Sequence, residues 1–292
     1  MGEIIGAGFL SHVPTIMLPR EVRYKLNEGK EISLVPGLKK LRAQVFDVLN
    51  PDVVIVFDTH WYSTVEFLVT GHERREGKYT SEELPRGIQQ IPYDLRGDPK
   101  LAKLIAEKVS SAGAQCTVNN DPYLPINYPT INLAHYLASD EAWLSMSICQ
   151  TAEETDFLTV GRAIGEAAEA SNSSIILLAS GGMSHRFWSL SELPKHEASD
   201  PIHIRTPAAR AADEERISWW EQGRHADVLC NMQAYYSHKP EGFFGHYLMM
   251  IGALGGAACN APGRKYSDYE NAAGTGQVHV WFDKPKKGWI ST

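Results

Sequence analysis

An α/β fold is what this sequence predicts: a single three-layer α/β/α domain over residues 1–292, with a mixed, largely parallel central sheet and a helical C-terminal third. Short apolar runs alternate with segments of helical periodicity, the order expected of βαβ units. Runs such as Val53-Val54-Ile55-Val56-Phe57 have the unbroken hydrophobicity of parallel strands buried on both faces. Two of these strands lead directly into a histidine, at Ser11-His12 and Thr59-His60. Ligands of open α/β sheets bind off the carboxyl ends of the strands, so both imidazoles stand where a site is built.

The elements follow in order. A first strand over 4–10 leads to His12. A helix over 37–49 places Leu38, Leu41, Val45 and Val48 on one face, and Asn50-Pro51 stops it. The strand ending at His60 comes next; by period-2 alternation Asp58 shares its face. A strand over 67–70 precedes a polar segment read as a long loop through Arg96. Asp98-Pro99 is an N-cap with proline at the first helical position, opening a helix to about Ser111. A short strand over 115–118 follows. Three prolines between Asp121 and Thr130 exclude regular structure and suggest a rigid pocket wall with two exposed tyrosines, Tyr123 and Tyr128. Then come a helix over 131–137, a strand over 143–149, a helix over 157–170 and a strand over 174–180 that runs into Gly181-Gly182-Met183-Ser184-His185. Helical patterns cover 207–223, 226–235 and 243–255, and a last strand spans 276–282. No repeat or low-complexity tract interrupts the chain.

With 43% hydrophobic and 22% charged residues, the chain has the composition of a globular protein with a true core. A net charge of −7 with no basic block argues against nucleic acid or an anionic membrane as partner. Cys116, Cys149, Cys230 and Cys259 are scattered without CxxC spacing, which is no disulfide framework; Cys149 is expected to be a buried, reduced thiol. No apolar stretch has the length of a membrane span, and the N-terminus has no signal-peptide pattern. A cytoplasmic enzyme is the expectation.

Eleven histidines are present, and His12, His60 and His185 share one context: an apolar strand, a small or hydroxyl residue, then histidine. Two imidazoles and one carboxylate make the facial triad of non-haem Fe(II) oxygenases. His72, His196, His225 and His238 lie in polar surroundings and are assigned to the surface, and His135 and His279 to structural roles. Among the acids Glu241 stands out, because Pro240-Glu241-Gly242 opens a strongly apolar helix. From the residues alone it fits both stabilisation of a helix N-terminus and a metal ligand. Asp58 fits both orientation of a ligand and a buried structural hydrogen bond.

Taken together, Ser11-His12-Val13-Pro14, Asp58-Thr59-His60-Trp61, Ala179 through Phe187 (ASGGMSHRF) and Gly274-Thr275-Gly276-Gln277-Val278 resemble the class III extradiol ring-cleavage dioxygenases of the protocatechuate 4,5-dioxygenase type. The likeness runs from the first strand to the last. Glu76–Pro85 (EGKYTSEELP) is similar to a loop of the single-chain homoprotocatechuate (3,4-dihydroxyphenylacetate) 2,3-dioxygenase branch.

This resemblance implies Fe(II) held by His12, His60 and Glu241, with His185 as the catalytic histidine. It implies O2-dependent cleavage of a catechol to a muconic semialdehyde in aromatic catabolism, by a homo-oligomer. Tyr128 falls where protocatechuate-type members carry histidine, and where the homoprotocatechuate and aminophenol branches carry tyrosine. That makes Tyr128 a second catalytic candidate and disfavours protocatechuate as substrate. Arg186, His203 and Arg205 are candidates to meet an anionic ring substituent. The competing expectations are an aminophenol, hydroxypyridone or other catechol derivative as substrate, a Memo-like scaffold without activity, and a zinc hydrolase using the same ligands.

Overall fold

The computed structural model describes residues 2–290. They form the strands β1 (Glu3–Leu10), β2 (Val53–Ser63), β3 (Phe67–Thr70), β4 (Arg74–Tyr79), β5 (Ile91–Arg96), β6 (Cys116–Asn119), β7 (Ala142–Cys149), β8 (Ser174–Ser180), β9 (Gly263–Lys265), β10 (Glu270–Ala272), β11 (Thr275–Gln277) and β12 (His279–Asp283). Eight of them make one sheet in the order β6-β3-β7-β2-β8-β1-β12-β9. Its centre is parallel, β7 with β2, β2 with β8 and β8 with β1. Antiparallel β12 and β9 close one side.

Alternate residues of the central strands feed two separate cores. Ile55, Phe57, Ile175, Leu177 and Ala179 pack with the helices Pro99–Ser111, Glu154–Ala170 and Gly245–Ala253. Val54, Val56, Ile176 and Leu178 pack with the helices Leu34–Leu41 and Tyr128–Leu137. The result is the predicted three layers. Each of these valines, leucines, isoleucines and phenylalanines, fully buried, contributes about 1.5–3 kcal/mol before the entropy of ordering is counted.

Register sets the site. Leu10 and Asp58 both pair with Ser180, so β1 and β8 end in one row with Asp58 of β2. Strand β2 runs on past His60 to Ser63 and does not end at the histidine as the sequence suggested. His12 and His60 each lie two residues beyond that row. They are therefore brought to the same height on the sheet's carboxyl edge.

Several expectations need correction. The helix over 37–49 passes through a π-turn at Arg42–Phe46, where one extra residue per turn shifts the buried face. Phe46 consequently turns inward and Val48 outward, to 72% exposure. The supposed loop to Arg96 contains the hairpin β4–β5, whose charged pairs, such as Arg74 with Asp94, conceal it in the sequence. The helical pattern over 226–235 is two helices, His225–Cys230 and Met232–Tyr235. The last strand is two: Gln277 pairs with Glu270, while His279 pairs with Leu10. Tyr128 is buried at the start of its helix, whereas Tyr123 is exposed as expected. His225 is no surface residue, since it is buried between the Tyr247 hydroxyl and the Ala261 carbonyl. Cys149 is a buried free thiol.

Candidate metal centre

His12, His60 and Glu241 converge, each offering one ligand atom, with all three atoms within 4.8 Å of one another. Glu241 Oε1 lies 3.3 Å from His12 Nε2 and 3.1 Å from His60 Nε2. Two nitrogens and a carboxylate oxygen at this spacing fit a divalent metal bound on one face. The other ring nitrogens are already engaged. With Nε2 as ligand, His12 Nδ1 carries the hydrogen and donates to Ser180 Oγ at 3.0 Å. His60 Nδ1 faces Glu83 Oε1 at 3.3 Å, which orients that ring in the same way.

Glu241 is positioned by an unusual turn rather than by a helix end. Gly242, Phe243 and Phe244 all have positive φ, at 55°, 57° and 60°. For the two phenylalanines such a conformation costs about 1–2 kcal/mol each. Burial of Phe244 against Phe9, Tyr235 and Tyr247 offsets it. A Cβ at Gly242 would meet Thr59 Cγ2 at 2.8 Å, so the turn needs glycine there. The helix that follows begins only at Gly245, and Glu241 does not cap it. That helix is fixed by close packing on Glu154–Ala170: a Cβ at Gly161 would fall 2.2 Å from the Met249 carbonyl oxygen.

The carboxylate is fully engaged. Thr59 Oγ1 donates to Oε1 at 2.8 Å, and the Gly182 amide donates to Oε2. Consecutive Thr59 and His60 thus reach one oxygen, because β2 is irregular between Asp58 and Tyr62. Strict alternation fails at this point. Asp58 accepts the His60 and Trp61 amides and the Thr130 hydroxyl, so it shapes the backbone and does not touch the His60 ring.

His185 Nε2 lies 3.8 Å from Glu241 Oε2, and the Tyr128 hydroxyl 2.8 Å from His60 Nε2. All five predicted residues therefore share one cleft edge. Sequence reasoning missed the partners Ser180, Thr59, Gly182 and Glu83. It also missed Asp213, a buried carboxylate that accepts from Ser184 Oγ and from the Tyr235 and Tyr269 hydroxyls, anchoring the residue before His185. His246, unremarked in the sequence, is buried beside Gly181.

The electrostatics favour a cation. Burial opposes the charge on Glu241, yet His12, His185 and the hydrogen bonds from His12 and His60 hold its carboxyl well below the ordinary range. Burial likewise opposes the charged form of His60, but Glu241, with Asp58 and Glu83, outweighs it and raises the ring to about 9. Burial pushes His185 below its ordinary value, against Glu241, so it is a neutral imidazole near pH 7.

A raised histidine stabilises the metal-free fold fully below 6.5 and loses that contribution as pH climbs through about 9. Across this window metal must displace the His60 proton. Affinity is expected to rise with pH, by up to about tenfold per unit, with release of one proton per metal. Anaerobic calorimetry in buffers of different ionisation enthalpy measures this; heats independent of the buffer would show that no proton leaves.

Residues 6–283 match the family described as the catalytic LigB subunit of aromatic ring-opening dioxygenase. The chain belongs to this family. It is an aromatic ring-opening dioxygenase. It is 30% identical over 261 residues to the 3,4-dihydroxyphenylacetate 2,3-dioxygenase of Escherichia coli, a match covering 87% of this chain and 91% of that one. It is 24% identical over 242 residues to the 2-aminophenol 1,6-dioxygenase beta subunit of a Pseudomonas species, covering 78% and 77%. The crystal structure of the uncharacterized protein JW3007 from Escherichia coli K12 shares the fold, with a TM-score of 0.64 at 17% identity over 95% of this chain and 99% of that one. Among the described residues no helix is long and apolar enough to cross a membrane.

Proposed function

We propose that this dioxygenase is a ferrous-iron enzyme that opens the ring of 3,4-dihydroxyphenylacetate, or a close catechol, with O2 to give a muconic semialdehyde. The convergence of His12, His60 and Glu241 beside His185 and Tyr128 carries the reading. His12, His60 and Glu241 would hold the metal. Iron, when bound, supplies the redox chemistry that triplet O2 requires and that Zn²⁺ lacks.

The chain's own residues do the rest. Neutral His185 takes a proton from a catechol hydroxyl at Nε2 and returns it to the departing oxygen as the O–O bond breaks. Tyr128, whose hydroxyl burial keeps protonated, donates a hydrogen bond to a substrate or oxygen-derived atom beside His60. The tyrosine, with the 24% identical aminophenol relative, favours an aminophenol as second substrate. Residues 1–292 form one catalytic unit in this proposal, acting in the cytoplasm as a homo-oligomer. The four free cysteines agree with a reducing compartment.

The test is anaerobic reconstitution with Fe(II), followed by metal analysis and O2 uptake with 3,4-dihydroxyphenylacetate, protocatechuate and 2-aminophenol. One O2 consumed per ring, with a yellow product from 3,4-dihydroxyphenylacetate and little turnover of protocatechuate, is expected. Iron-loaded protein that takes up no O2 with any of the three would overturn the reading.

A further inference from the structure

We propose that Lys239 recognises an anionic substituent on the catechol ring, making this enzyme selective for catechols that carry a carboxylate a short distance from the ring. The inference rests on the ring-opening reading above and adds its specificity residue. A cleft of about 570 Å³ lies over the site, ample for a single aromatic ring. It is lined by His60, His185 and Glu241 and also by Tyr62, Tyr236, Phe243 and Lys239. Among the described residues Lys239 is the one lysine or arginine lining it. A ring bound with its hydroxyls at His60, His185 and Glu241 lies in the same cleft that Lys239 lines.

Three further observations bear on Lys239. Like most lysines of the chain it has no ion-pair partner among the described residues, the paired ones being Lys103, Lys195, Lys265 and Lys284. Its backbone is left-handed, with φ at 52°, a conformation that glycine or asparagine adopts at less cost. It is also tied to the catalytic end of the cleft: its carbonyl accepts the His185 amide at 3.1 Å, and Ser184 bridges Pro240. Arg186 braces the same segment by donating to the Ser237 carbonyl at 2.7 Å. The cations suggested by the sequence are engaged elsewhere. Arg186 is held by Ser237, Arg205 lies 4.3 Å over the Trp188 ring, and His203 pairs with His196 at 3.1 Å. A lysine suits this task, since its compact charge on a four-carbon stem can follow carboxylates of differing reach.

The experiment compares 3,4-dihydroxyphenylacetate with neutral 4-ethylcatechol in the iron-loaded wild type, Lys239→Met and Lys239→Arg. Anaerobic calorimetry gives Kd and steady-state O2 uptake gives kcat and KM. The methionine variant is expected to lose about tenfold more affinity for the anionic ligand than for the neutral one. The loss should appear in KM rather than kcat, and arginine should restore most of it. Equal losses for the two catechols, or none, would overturn the role of Lys239 while leaving ring opening intact. A wild type that binds neither catechol would overturn both.

Discussion

Glu241→Ala is expected to abolish retention of ferrous iron, and ring opening with it. The carboxylate is the one acid among the three converging ligands, and it alone touches both imidazoles. Loss of a partner one shell out from a metal typically costs 10–100-fold, so loss of a ligand should exceed about 100-fold. The metal-free protein feels the change as well. The Gly182 amide loses its acceptor, Thr59 keeps only the Ser180 carbonyl, and His60 loses the main interaction that raises it to about 9. Iron analysis after gel filtration measures the loss directly, and the melting temperature gives an independent reading. Wild type should be stabilised by added Fe(II) under anaerobic conditions, because a ligand bound only by the folded state shifts the equilibrium by mass action. Glu241→Ala, and Glu241→Gln with its shape kept, should show no such rise. Full iron occupancy in either variant would send the search to another carboxylate.

His185→Ala should behave differently, keeping its iron and losing most of its turnover. Its ring is 3.8 Å from Glu241 Oε2 but does not belong to the group of three whose ligand atoms converge. Removing a general acid–base typically costs about 10²- to 10⁴-fold in kcat. The pH profile separates this role from a structural one. The ring must be neutral to accept a proton, and burial lowers its pKa below 6.5. Wild-type kcat/KM should therefore rise with pH through a value under 6.5 and then level off. The variant should lack that rising limb at its residual rate. An unchanged kcat, or loss of iron in parallel, would remove His185 from proton transfer.

Much of the site was legible because its residues lie where local pattern is strong. The apolar runs before His12, His60 and Ser180 mark buried strands without reference to any other part of the chain. Asp98 does cap its helix, donating nothing and accepting the Leu101 amide, as an aspartate before proline should. The misreadings fall where distant packing overrides local preference. Val48 has the right spacing for a buried face, but the π-turn preceding it rotates the helix by one residue. His225 follows Gly223-Arg224 in a polar stretch, and only the approach of Tyr247 and Ala261 buries it. In the hairpin β4–β5 only β5 alternates, through Ile91, Tyr93 and Leu95; the charged run of β4, Arg74 to Lys78, offers no apolar strand to pair with it and reads as loop.

The apolar strands at the centre of the sheet, the helices between them and the placing of His12 and His60 after apolar runs were determined by the sequence alone. Hydrophobic periodicity is a local property, and it survives without knowledge of what lies opposite. Tertiary structure decided that Leu10, Ser180 and Asp58 share a row, and that a left-handed turn carries Glu241 to both imidazoles. It also brought Lys239, and no arginine among the described residues, to the lining of the cleft. Register between segments as distant in sequence as Leu10 and Ser180 depends on how whole layers pack, and no local pattern encodes that.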